Sequence, residues 1–341
     1  MKPFNFTRCL PAFALTFVFA GGAADAPKPK PTAYQTVGEA RAAGADYELQ
    51  GEYSFEEKIE KGAGRWGIGA QVIALGDDKF RLVVHKGGLP GAGWDKSPKS
   101  EVEGKREGDR VKFAPSPNDK NGGYDLHNGV VSEISLTGDP VHMKKVHRTN
   151  PTLGLKPPAG ATVLFDGSNA DAWQNGKMDE RKFLRCGTKS KMTHGSGTLH
   201  IEFFLPFKPL GRGQDRANSG VYLQDRYEVQ VLDSFGLKGE NNECGGIYSK
   251  HRPLVNMCFP PLTWQTYDIE FEEAAFDAAG TKTRDATLTV KHNGVLIHDK
   301  ASVNSATTAA SLKEGPTPGP IQLQDHGNPV YYRNIWWLPK K

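Results

Sequence analysis

The chain has 341 residues, enough for two domains or for one large β domain with extensions. Its 39 glycines and 23 prolines, with few long apolar stretches of helical period, favour turns and short strands over helices. A net charge of +4 spread along the chain argues against a nucleic-acid partner, and Lys-rich pieces around Lys28 and Lys144 read as solvated linker and loop.

Residues 1–26 read as a secretory signal peptide. Lys2 and Arg8 give a positive start, residues 9–20 are mostly apolar, and Ala24 and Ala26 flank Asp25 in a small-x-small cleavage pattern. The apolar run is too short for an ordinary membrane span, so the mature chain is expected without one. The expected location is outside the cytoplasm, periplasmic or extracellular. Three cysteines then remain, Cys186, Cys244 and Cys258. Cys244 and Cys258 could bridge or could stay as small buried thiols, and their spacing matches no zinc motif.

Residues 27–37 begin rich in Pro and Lys and are expected as a flexible tether. Residues 38–147 form a first, smaller β domain. Strands are predicted at 47–53, 71–75, 80–84, 110–113 and 129–135, with a helical turn near 39–43 and loops at 87–94 and 118–123. An antiparallel barrel or curled sheet is expected. Residues 148–160, stiffened by Pro157 and Pro158, read as a linker. From 161 to 341, strands are predicted at 163–165, 183–185, 198–203, 220–223, 226–232, 264–271, 286–292, 295–298, 321–324 and 331–337. Asn293-Gly294 between alternating runs is the strongest hairpin signal, because both residues accept positive φ. The chain therefore reads as all-β, with a two-sheet antiparallel sandwich as its larger part.

Residues 218–233 carry the most chemistry. Tyr227, Val229 and Val231 alternate with Arg226, Glu228 and Gln230, so the strand offers an apolar face and a face of guanidinium, carboxylate and carboxamide. Such a face lines either solvent or a sugar groove. Asn218 precedes the first strand of this pair, Tyr222 lies within it, and Asp233 follows the second. Asp325, His326 and Asn328 form a polar turn, and Arg333 projects from the last strand with Ile335 on its own parity. His251 sits in a basic loop that could reach the same rim. Glu228 and Asp233 are five residues apart, which on a continuous strand puts them on opposite faces and weakens a two-carboxylate glycosidase reading. His326 could act as a base near neutral pH or merely cap a turn. No metal-ligand spacing stands out, although Asp and Glu in loops could hold a divalent cation from several segments. Of the adjacent Trp336 and Trp337, at least one is expected in the core.

Several segments in order resemble the 3-keto-disaccharide hydrolase domain family: residues 164–167 with Trp173, residues 218–222, 226–235, 245–248 and 264–269, and residues 324–329 with 333–336. The resemblance spans about residues 161–339. It implies a concanavalin A-like jelly-roll β-sandwich acting on glycosides oxidised at carbon 3, and it gives the smaller amino-terminal β-barrel-like domain no chemistry. The basic loop 249–252 departs from the commoner pattern and leaves substrate preference open. In the implied route, a base removes the acidified proton at carbon 2, the enolate expels the glycosidic oxygen from carbon 1, and water adds back. Under that resemblance Glu228 and His326 are the candidate proton-transfer groups. Arg226 and Arg333 are candidates for stabilising the enolate. Asn218, Tyr222, Gln230, Asp233, His251, Asp325 and Asn328 are candidate substrate contacts. The competing readings are a non-catalytic carbohydrate-binding sandwich, because the same sandwich commonly serves as a lectin, and a structural or surface-interaction domain, supported by the unexplained first domain.

Overall fold

The computed structural model describes residues 31–44, 46–58, 65–115, 122–134 and 140–341. The signal-like segment 1–26, the first part of the expected tether and part of the loop at 118–123 lie outside the described residues. No helix among the described residues is long and apolar enough to cross a membrane. Residues 31–341 form one compact unit.

Two short helices come first, Val37–Ala42 and Asp46–Leu49, the former capped by Thr36 Oγ1, which accepts a hydrogen bond from the Glu39 N–H. The second replaces the strand predicted at 47–53, which begins only at Gly51. Eight antiparallel strands then close a barrel: β1 (Gly51–Lys58), β2 (Arg65–Gly76), β3 (Lys79–Lys86), β4 (Ser100–Glu107), β5 (Arg110–Phe113), β6 (Gly123–His127), β7 (Val130–Ile134) and β8 (His142–Val146). Each pairs with its neighbour in sequence, and β8 returns to pair with β1, which leaves no open edge. Inward positions such as Tyr53, Val72, Phe80, Leu82, Val111, Leu126 and Met143 fill the interior. Ile73, Leu75 and Val83 instead join the core cluster of the larger sheets. The barrel therefore uses its inward residues to fill itself and part of its outer surface to pack on the rest of the chain.

The remaining strands are β9 (Thr162–Phe165), β10 (Leu184–Arg185), β11 (Thr188–His194), β12 (Gly197–Phe204), β13 (Ser219–Leu223), β14 (Tyr227–Val231), β15 (Trp264–Glu272), β16 (Ala275–Phe276), β17 (Lys282–Arg284), β18 (Ala286–His292), β19 (Val295–Val303), β20 (Gly319–Leu323) and β21 (Tyr331–Pro339). A seven-stranded sheet runs β10-β21-β12-β15-β18-β19 with β9 also on β21, and a four-stranded sheet runs β11-β20-β13-β14. Ile201, Phe203, Ile269 and Val290 of the first sheet share one buried core with Val221, Val229, Val231 and Ile321 of the second. This is the expected all-β sandwich beside a smaller barrel. The Asn293-Gly294 turn has φ of 50° and 80°, as its hairpin reading required.

The expected linker is not a free spacer. Asn150 Nδ2 donates to Asn293 Oδ1 at 2.9 Å, the Gly154 N–H donates to Glu202 Oε1 at 2.6 Å, and the Leu155 carbonyl accepts from Trp336 Nε1 at 3.2 Å. The segment thus straps the outer face of the seven-stranded sheet. Likewise, the later part of the expected tether is anchored: Tyr34 pairs with Phe207 through backbone hydrogen bonds of 2.8 and 2.9 Å. Both Trp336 and Trp337 are buried, Trp337 in the sandwich core and Trp336 stacked on His200 with ring centres 5.2 Å apart. Cys244 and Cys258 are buried free thiols.

Candidate functional site

Of the three residues predicted to share a polar face, Glu228 and Gln230 do share one, on the four-stranded sheet. β13 and β14 pair with Gly220 opposite Gln230 and Tyr222 opposite Glu228. Val221, Val229 and Val231 point into the core, so Gly220, Tyr222, Glu228 and Gln230 share the other face. Gly220 is required by proximity: a Cβ there would stand 2.1 Å from Glu228 Oε1. Its absence lets the Glu228 side chain lie across the neighbouring strand.

Glu228 is only 2% exposed. Its Oε2 accepts the Tyr222 hydroxyl at 2.7 Å, and the same hydroxyl receives Gln324 Nε2 at 3.2 Å. Burial pushes the Glu228 carboxyl up to about 8, against the opposing pull of the Tyr222 hydrogen bond. The Tyr222 phenol is in turn raised, first by burial and then by the neighbouring carboxylate. The backbone around Glu228 is pinned on both sides, its N–H donating to Thr307 Oγ1 at 3.1 Å and its carbonyl accepting from the Tyr248 N–H at 3.1 Å. Near neutral pH, this strand holds a carboxyl that can both release and accept a proton, in a fixed position.

Along the same face, Gln230 Nε2 and Asn218 Nδ2 both donate to Gln214 Oε1, at 2.9 and 2.8 Å. Asn218 Oδ1 is buried without a partner among the described residues. Gln214 was not among the residues expected from sequence. It sits in a single 3₁₀ turn, Gly213–Asp215, and only the glycine-rich loop around it hints at a role. Lys208 was missed as well. Its buried ammonium donates to the Asp215 carboxylate at 2.8 Å and to Asn328 Oδ1 at 3.1 Å, tying that turn to the one after β20.

Other expected residues are differently employed. Arg226 falls in the turn before β14, where Gln224 and Asp225 have positive φ. Its Nε donates to the Lys313 carbonyl at 2.7 Å and its Nη1 to the Thr317 carbonyl at 3.0 Å. Its buried guanidinium is therefore committed to holding a distant loop, which corrects its expected place beside the reacting sugar. Asp233 lies beyond the end of β14 and accepts from Arg216 Nε at 2.7 Å, so its charge is already neutralised. Asp325 Oδ1 accepts the Gly327 N–H at 2.8 Å and does not orient the His326 ring, which is exposed. Asn328 is buried on Lys208, and the His251 ring is bonded to the Ser302 carbonyl through Nε2 at 2.7 Å.

Arg333 is the clearest correction. It belongs to the seven-stranded sheet, where its Nε donates to Glu202 Oε2 at 2.7 Å and its guanidinium lies 4.0 Å from the Trp264 ring centre. The expected shared parity with Ile335 fails because Asn334 has φ of 44° and the β12–β21 register shifts between His200 and Glu202. That bulge turns Ile335 into the core and leaves Arg333 on the outer face. Among the described residues, no group of three or more His, Cys, Asp or Glu side chains could hold a metal ion.

A sequence profile of the 3-keto-alpha-glucoside-1,2-lyase-like domain matches residues 160–338. Among solved structures, a chain described as a "putative glycosyl hydrolase" from Parabacteroides distasonis is 31% identical, with a TM-score of 0.50 over 54% of this chain and 85% of that one. A second structure with the same description and organism is 15% identical, with a TM-score of 0.39 over 53% of this chain and 94% of that one. No curated protein matches the chain.

Proposed function

We propose that this chain, which belongs to the 3-keto-alpha-glucoside-1,2-lyase-like domain family, cleaves the glycosidic bond of 3-keto-glycosides or 3-keto-disaccharides. A carbohydrate-active role agrees with the description of its solved relative. The observation that carries the finer reading is Glu228, a buried carboxyl pushed up to about 8 on the polar face of the sandwich.

The carbon-3 ketone acidifies the proton on carbon 2. Ionised Glu228 takes that proton, the resulting enolate expels the glycosidic oxygen from carbon 1, and the now protonated Glu228 returns a proton to the leaving oxygen. Water then adds to carbon 1 of the enone and restores the 3-keto sugar. One group can serve both transfers because its pKa lies near the working pH, which keeps both forms populated. Tyr222 holds the carboxyl in place, and Gln230 and Asn218 are placed to orient sugar hydroxyls. Because Glu228 is so little exposed, the substrate must displace the segment carrying Thr307 and Thr308, whose side chain and carbonyl contact the Glu228 N–H and the Tyr222 hydroxyl. We place this activity outside the cytoplasm on the strength of the signal-like residues 1–26.

The test is incubation with 3-keto-trehalose or a 3-keto-glucoside, following release of the reducing product. Wild type should cleave, Glu228→Gln should be slowed by roughly 10²-fold or more, and His326→Ala should retain cleavage. Equal turnover by wild type and Glu228→Gln would sink the assignment of Glu228. Binding of the keto-sugar without turnover would return the sandwich to a lectin-like role. A chelator control in the same assay measures any dependence on a divalent cation.

A further inference from the structure

Away from the Glu228 face, a cavity of about 440 Å³ opens where the barrel meets the sandwich. That is within the range of roughly 300–1,000 Å³ typical of small-molecule sites. Gln50 and Glu52 line it from the start of β1, Lys145 and Arg148 from the end of β8 and just beyond, and Phe259 and Pro261 from the sandwich.

Its polar groups are fixed in advance. Glu52, 3% exposed, accepts two hydrogen bonds of 2.6 Å from Arg148, through Nε and Nη2. Arg148 Nη1 donates to the Pro90 carbonyl at 2.6 Å, and the guanidinium lies 4.8 Å from the Phe259 ring centre. Gln50, also 3% exposed, accepts the Ala74 N–H at 3.0 Å through Oε1. That bond orients the amide and leaves Nε2 buried without a partner among the described residues. The Lys145 ammonium donates to the Glu48 carbonyl and makes no ion pair with a carboxylate among the described residues. Its stem runs where a side chain on Gly51 would stand, since a Cβ there would be 2.9 Å from Lys145 Cε.

The two lining carboxylates are already matched, Glu52 by Arg148 and Glu48 by Arg41. What remains without a carboxylate is the Lys145 cation, whose neighbours are the Glu48 carbonyl and the Tyr53 ring, 6.0 Å from ammonium to ring centre. A neutral polyol would leave that charge unmet; a bare oxyanion would meet the charge and leave most of the volume empty. We propose that this cavity is a second ligand site, taking a small monoanionic sugar acid with its carboxylate toward Lys145 and its hydroxylated body filling the space beside Arg148 and Phe259. The site is independent of the cleavage reaction and gives the barrel a binding role.

The full chain should be titrated calorimetrically with sodium glucuronate, glucose and inorganic phosphate. Saturable glucuronate binding is expected, at least tenfold tighter than glucose or phosphate. Lys145→Met should weaken glucuronate at least tenfold. Thermal melting of the variant checks that it folds. Glu228→Gln should bind glucuronate as wild type does. Absence of glucuronate binding, or unchanged affinity in a folded Lys145→Met, overturns the site. Phosphate binding as tightly as glucuronate overturns the sugar part, and loss of glucuronate binding in Glu228→Gln would assign it to the other face.

Discussion

Glu202 and Glu228 are equally removed from solvent, at 1% and 2% exposed, and both extend from strands on the non-core faces of their sheets. Among the described residues Glu228 has a single side-chain partner on its carboxyl, the Tyr222 hydroxyl, and it is pushed up to about 8 by burial. Burial acts on Glu202 in the same sense, yet hydrogen bonds involving His200, Asn334, Arg333 and the Gly154 N–H take it down to about 2. Burial therefore does not decide whether a carboxyl is charged; the donors around it do. One sheet spends its buried glutamate on an ion-paired outer face, while the other keeps one poised to titrate. The His200 imidazole follows the same rule: burial disfavours its charge, but Asp268 at 2.6 Å and Glu202 raise its pKa overall.

The widest separation between the two should appear in catalysis. Glu228→Gln should lower turnover of a 3-keto-glycoside by roughly 10²–10⁴-fold, the usual contribution of a positioned acid–base group. Glu202→Gln should leave turnover near wild type, and steady-state rates on the same substrate compare them directly. Stability should reverse the ranking. Glu202→Ala should destabilise by about 3 kcal/mol, the low end for removing one partner of a buried pair, because Arg333 retains some solvent. Urea unfolding at pH 7 measures it.

Their pH responses should run in opposite directions. The depressed Glu202 contributes stability that is present above its unfolded value near 4.5 and is lost as pH falls toward 2. The raised Glu228 contributes most below 4.5, and that contribution is lost as pH climbs through 8. A Glu228→Gln chain should accordingly gain on wild type as pH rises from 5 to 8. At about 1.4 kcal/mol per unit, the gain is on the order of a few kcal/mol. Melting temperatures across that range that stay parallel would break the comparison. The smallest effect belongs to Tyr222→Phe, which removes the one bond that favours the charged form. It should move the pH–rate profile upward while leaving the fold intact, and a profile that moves downward would reverse the role given to Tyr222.

Much of this was readable from residue order, and its limits have physical causes. Alternation across residues 226–232 located β14 and its polar face, because one strand's periodicity is local information. The opposition of Tyr222 and Glu228 follows from a hairpin whose register depends on a turn with two positive-φ residues, neither of them glycine. What captures Arg226 comes from residues 313 and 317, and no local pattern encodes such a contact. Arg333 was misplaced because a single bulge at Asn334 inverts every parity argument beyond it. In the barrel, β4 escaped notice because its sequence from Ser100 to Glu107 is largely charged and only Val102 among its side chains is buried in the interior. The loop residues Gln214 and Lys208 gain their partners only through the tertiary fold.

The strap across the outer face has a mechanical consequence. Residues 148–155 link β1, through Arg148 and Glu52, to Asn293, Glu202 and Trp336 of the large sheet. Ile73, Leu75 and Val83 bury the barrel wall in the sandwich core beside them. Neither part can come apart without exposing apolar surface of the other, so their unfolding is coupled in one cooperative unit. Scanning calorimetry should record one transition for barrel and sandwich together, whereas two beads on a flexible string would give two.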